Sequence, residues 1–194
     1  MGWSRIAGPL PVNWLARAIV SGFVATIAMS FAFFVGYGIS ILLAKVPLVS
    51  YQNGNLLAGW FDALIHNQVI DLAANAFYVT MVIHLAAGIG WAVIYSLFAQ
   101  PRLAGPGWER GMIFSLVPWL LSLVVFMPLV GGGFFGLDTG AGPLPIIGNL
   151  ILHLTNGSVL GGMDAFFGKG AMEERAMCVE DRAVGLSVER STSI

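Results

Sequence analysis

Two histidines are the side chains in this sequence with the most chemistry available to them. His84 stands in IHLAAGIGWAV and His153 in LHLTNGSVLGG, and each opens the pattern His-Leu-x-x-Gly, which closes at Gly88 and at Gly157. Neutral imidazole ligates haem iron and also the magnesium of chlorophyll-type pigments. A glycine one helical turn below each ring would leave room for a flat macrocycle. His84 and His153 are therefore candidate metal ligands, and with Gly88 and Gly157 they form a candidate site for haem b or a chlorophyll-type pigment. A plainer reading is a pair of buried imidazoles hydrogen-bonded to Thr80, Asn149 or each other, locking helices together. A proton- or ion-carrying role is the third reading, since ionisable groups in apolar spans tend to be functional. The residues alone leave all three open.

Other polar groups gather around the same pattern. Asn149, His153, Asn156 and Asp164 fall near one helical face, as do Thr80, His84, Gly88, Trp91 and Tyr95 on the earlier segment. The two faces are expected to look at each other and to hydrogen-bond across the interior. Asp138-Thr139-Gly140 matches the aspartic-protease triplet, but it occurs once, in a glycine-rich stretch without β-rich flanks. That chemistry needs two carboxylates sharing a proton. No phosphate loop, Ser-His-Asp set or His-Glu-x-x-His pattern is present, so the expectation is a protein that is not an enzyme. Cys178 is the only cysteine, which excludes an internal disulfide and argues against a cysteine-based zinc site.

These residues must be positioned by elements that suit an apolar solvent. The 194-residue chain is 57% hydrophobic and 10% charged, with a mean hydropathy of +0.83. A soluble domain carries about 25% charged residues, so a water-facing surface could not be covered. Four apolar stretches are long enough to cross a hydrocarbon core of about 30 Å. They run from about 18 to 44, 77 to 98 (with a start as early as Leu72), 112 to 130 and 146 to 167. The expected fold class is all-α, an integral membrane four-helix bundle in residues 1–168 with a charged cytoplasmic tail in 169–194. Twenty-five glycines point to close helix contacts within it. A net charge of −1 and the lack of a basic run exclude nucleic acid as a partner; the bilayer and other membrane subunits are the partners expected.

Orientation follows from the basic residues, which favour the cytoplasmic side. Arg5 and Arg17 precede the first span, Arg102 and Arg110 separate the second from the third, and Lys169, Arg175, Arg182 and Arg190 follow the fourth. Only Lys45 falls on the other side. Both termini are thus expected in the cytoplasm, in a multi-pass protein of a cell's inner membrane. Trp3, Trp14, Trp60 and Trp108 stand near the span boundaries, where indole rings favour the interface. His84 and His153 each lie seven residues into their spans, about 10 Å below the outer boundary at 1.5 Å per residue.

The connections differ in kind. Leu56, Leu57, Trp60, Phe61, Leu64 and Ile65 form a stripe expected of a short helix in the outer interface, capped by Asn53 or Asn55. GGGFFGLDTGAGPLP (Gly131 to Pro145) cannot continue a helix. Pro118 should kink the third span. The tail carries Met172, Ala176, Val179 and Leu186 at a spacing suited to docking, although a solvated tail is the equal alternative.

An inward-to-outward helix followed by a returning helix with His-Leu-x-x-Gly occurs twice, which suggests a duplicated helical hairpin. GFVATIAMS in the first span, Arg110-Gly111 before the third and HLTNGSVLGGMD in the fourth resemble small four-span bacterial membrane proteins of a family without known function. The resemblance covers roughly residues 17–168 and implies the architecture but no activity. The expected function is a small membrane subunit of a respiratory or photosynthetic electron-transfer complex, structural or holding a tetrapyrrole through the histidines. A small transporter or channel built from two hairpins is the alternative.

Overall fold

Apolar side chains and a backbone that must satisfy its own polar groups leave the helix as the natural element for such a sequence. The computed structural model describes residues 13–45 and 56–192, with side chains through residue 168. Among the described residues there is no strand. Helix α1 spans Trp14–Lys45, α2 Leu56–Ile65, α3 Gln68–Asn75, α4 Phe77–Ala99, α5 Gly107–Leu129 and α6 Leu144–Thr192. Four helical segments are long and apolar enough to cross a membrane: α1, α4, α5 and Leu144–Gly168 of α6. Their outward faces remain apolar, as Phe31, Val82 and Phe166 illustrate. Trp3, Arg5 and the expected caps Asn53 and Asn55 lie outside the described residues.

The helices pack in a cyclic order. Helix α1 lies against α4 on one side and α6 on the other, and α5 lies against α6. Tyr95 and Trp91 of α4 meet Phe114 of α5 edge-on or tilted, with centroids 5.3 and 6.0 Å apart, which closes the ring. The core is small: Ala25, Ala92, Tyr95 and Leu160, bordered by Phe114 and Val159. Direct contact between α4 and α6 is slight, because they stand diagonally. The polar faces of these two spans look inward within electrostatic reach of each other, but no hydrogen bond joins them among the described residues, and α1 and α5 supply their packing contacts.

Glycines set the closest approaches. In α5 and α6, Gly107 and Gly111 lie against Gly161 and Gly157 so closely that a Cβ on any of the four would run into the opposite backbone. In α1 and α4, Gly22 meets Ala92 and Gly88 meets Thr26. Small residues four apart on both helices let backbones come together where no hydrophobic driving force separates helix from lipid.

Two wide turns modify the spans. The Gln100 amide donates to the Tyr95 carbonyl at 2.8 Å, five residues back, and the widened turn buries both Tyr95 and Ser96. A second π-type turn spans Ser122–Phe126, directly before Pro128. Proline lacks a donor and its ring collides with the carbonyl four residues earlier; a widened turn accommodates both. Helical bonding runs on through Pro118, whose carbonyl accepts from Ser122. The irregularity expected at Pro118 thus sits a turn later.

The outer connections are more structured than the sequence suggested. Helix α2 packs on α1 and α6 and buries Ile65. Asn67 then caps α3, its Oδ1 accepting from the amides of Val69 and Ile70 at 3.0 and 3.2 Å. Ala76 breaks the chain before α4, so the second span begins at Phe77 and not near Leu72. The glycine-rich segment folds as a distorted 3-10 turn, Phe134–Thr139, with Phe135 and Gly136 in left-handed conformation. The Gln68 amide group donates to the Gly131 carbonyl and ties α3 to this loop.

Candidate functional site

His153 is held in a defined way. Its Nδ1 donates to the backbone carbonyl of Asn149 at 2.9 Å, since a carbonyl can only accept. In the neutral ring this leaves Nε2 as the free lone pair, the arrangement that protein carbonyls impose on ligand histidines. The side chain of His84 forms no hydrogen bond among the described residues, and the two rings lie within electrostatic reach of each other. Both are partly buried. Thr80 is not a partner of either, and Asn149 serves through its backbone while its side chain accepts from Ser122 Oγ at 2.9 Å.

The glycines expected to make room for a macrocycle are filled positions. Thr26 Oγ1, itself donating to the Gly22 carbonyl at 2.7 Å, occupies the side of Gly88. Gly157 is closed by the Gly111 carbonyl and by Ser115. Both glycines therefore join helices, and the space beside them is taken. No group of three or more His, Cys, Asp or Glu side chains that could hold a metal ion occurs among the described residues. A metal at this level would rest on the two imidazoles alone.

A second polar site, at the opposite end of the bundle, was not singled out from the sequence. Arg17 of α1 donates through Nη2 to Asp164 of α6, at 2.8 Å to its main-chain oxygen and 3.3 Å to Oδ1. The carboxylate is almost fully buried, at 4% side-chain exposure against 13% for the arginine. Asp164 also lies within reach of Arg110, and Tyr95 within reach of both Arg110 and Asp164. Arg110 donates from Nη1 to the Gln100 carbonyl at 3.1 Å. All four spans thus bring a charged or hydroxyl side chain to this end of the bundle. Within the described residues, Nε of Arg17 and Arg110, the hydroxyls of Ser21, Tyr95 and Ser96, and Asp164 Oδ2 are buried without a hydrogen-bond partner. One signal was available: Arg17 lies three residues and Asp164 four residues from the same end of their spans.

The remaining candidates separate cleanly. Asp138 of the Asp-Thr-Gly triplet is exposed and packs against Gly133, while Thr139 donates to the Gly136 carbonyl at 2.6 Å. Asp138 takes part in neither of the described ion pairs, Arg17–Asp164 and the exposed His66–Asp62 contact at 3.1 Å. An apolar cavity of about 290 Å³ opens between α1, the α2–α3 pair and the start of α6, bordered by Phe33, Tyr37, Ile70 and Leu152. Neither histidine lines it.

Comparison with protein-family models, with curated proteins and with solved structures finds no match.

Proposed function

We propose that this chain is a small, non-catalytic subunit of a larger membrane complex of respiratory or photosynthetic electron transfer, its basic end in the cytoplasm and its spans in an inner membrane. The observation that carries the subunit reading is α6. It leaves the span at Gly168 and continues without a break to Thr192. Those 24 residues extend about 36 Å at 1.5 Å per residue. They carry both charges and the spaced apolar positions Met172, Ala176, Val179 and Leu186. A helix this long, projecting from a bundle, gains little as a membrane anchor and much as a docking arm.

The bundle suits a supporting role. Its contacts fall into two hairpins of one design: the glycine of His-Leu-x-x-Gly meets a hydroxyl residue, Gly88 with Thr26 and Gly157 with Ser115. The residue four positions on then meets the entry glycine, Ala92 with Gly22 and Gly161 with Gly111. These matched contacts favour an origin by duplication. Within this reading, haem b or a chlorophyll-type pigment is the ligand that suits His84 and His153, supported by the anchored Nδ1 of His153. It would have to avoid the filled sides of Gly88 and Gly157.

A small transporter or channel is the second reading, favoured by the buried charged cluster that all four spans reach. Extraction in mild detergent separates the two. A subunit co-purifies with stoichiometric partners, and deletion of residues 169–194 weakens that association. Recovery as a lone, homogeneous and fully stable species would favour transport instead.

A further inference from the structure

We infer that the basic end of the bundle holds a binding site for an oxyanion, a phosphate or carboxylate group, formed by Arg17, Arg110 and Tyr95. Charge is the first argument. Asp164 is paired with Arg17, and Arg110 lies within electrostatic reach of the same carboxylate. Arg110 has no carboxylate within ion-pair distance among the described residues and donates only to a backbone carbonyl. Taking a charge out of water is costly unless a counter-charge accompanies it. Arg17, Arg110 and Asp164 together carry one net positive charge.

Hydrogen-bonding capacity points the same way. Buried without a hydrogen-bond partner among the described residues are Nε of Arg17 and of Arg110, which can only donate, the hydroxyls of Ser21, Tyr95 and Ser96, which can donate or accept, and the acceptor Asp164 Oδ2. Tyr95 is fully buried, Ser21 likewise, and Ser96 is 3% exposed. Native proteins pair the great majority of such groups. Water offers donors and acceptors in equal number and no charge. An oxyanion offers acceptors only, together with the missing unit of charge, and guanidinium forks match its geometry. The cluster sits within the first and last turns of the spans, a level reached both by solutes at the membrane surface and by lipid phosphates. The recognised chemistry is therefore the oxyanion itself, supplied either free or by a phospholipid headgroup.

The test uses the full chain, purified in neutral detergent and depleted of anionic lipid. Inorganic phosphate is titrated in one arm, and phosphatidylglycerol or phosphatidylcholine is added in another. Thermal unfolding and native mass spectrometry report binding. Saturable stabilisation by phosphate supports a free oxyanion; retention of one phosphatidylglycerol per chain, without phosphatidylcholine, supports the headgroup. Arg110→Gln should abolish either response. Tyr95→Phe removes a hydroxyl that has no hydrogen-bond partner among the described residues, so the midpoint without added anion should hold while affinity falls about tenfold. It decides the matter even where Arg110→Gln fails to fold. Absence of any binding by the unaltered chain, or binding that Tyr95→Phe leaves unchanged, would overturn the site.

Discussion

Arg17 and Asp164 illustrate how one residue pair settles the arrangement of two helices that are distant in sequence. Their ion pair joins positions 147 residues apart, and the carboxylate is nearly enclosed. Removing one partner strands a buried charge, at a cost of about 3–5 kcal/mol, whereas replacing both with apolar groups of similar volume is often neutral. Asp164→Leu should therefore lower the thermal midpoint sharply, and Arg17→Met with Asp164→Leu should recover most of it. A double variant as unstable as the single one would mean that the cluster, and not the pair, sets stability. The histidines call for a different comparison. His153→Gln keeps a donor for the Asn149 carbonyl and should be mild, while His153→Ala should destabilise by about 1–3 kcal/mol. If a tetrapyrrole is bound, either change also removes or shifts a visible absorption band, which a purely structural histidine cannot do.

At the scale of elements, the seam between α5 and α6 is the tightest feature and the easiest to test. Gly111 and Gly157 face each other backbone to backbone, whereas Gly90 on α4 has nothing within 4 Å of where a side chain would begin. Gly111→Ala and Gly157→Ala should each cost about 1–3 kcal/mol through overpacking. Gly90→Ala should be neutral, measured by unfolding in the same detergent. Equal effects at all three positions would show that glycine content, and not this seam, governs stability. Four helices long and apolar enough to cross a membrane were legible in the sequence, because apolar length alone decides them. The partners of the glycines were not, because spacing marks a small-residue stripe without saying which helix meets it. Gly88 and Gly157 were read as clearance for a ligand and prove to be filled by Thr26, Gly111 and Ser115. The break between α2 and α3 had a visible cue in His66-Asn67-Gln68, a polar run that supplies the cap. The contact of Arg17 with Asp164 could be inferred only by matching depths between α1 and α6, after the spans were set.

For the molecule as a whole, the structure brings Arg17, Arg110, Gln100 and Asp164 to one end and the 3-10 turn to the other. Basic residues concentrate at the first end, so it should face the cytoplasm. Cys178, the only cysteine, lies ten residues beyond Gly168 on the same helix, about 15 Å past the span at 1.5 Å per residue. A membrane-impermeant thiol reagent should therefore modify it only after the cytoplasmic face is opened. The opposite end supplies the reciprocal experiment. Asp138 is exposed on the turn between α5 and α6, so Asp138→Cys in a Cys178→Ser background should be labelled in intact cells whose outer barrier has been removed. The two labels must exchange sides together, because α6 connects the positions through a single span. Labelling of Cys178 from outside with Asp138→Cys protected would invert the orientation while leaving the bundle intact. Labelling of both from one side would mean that α6 does not cross the bilayer, and the four-span reading would fall with it.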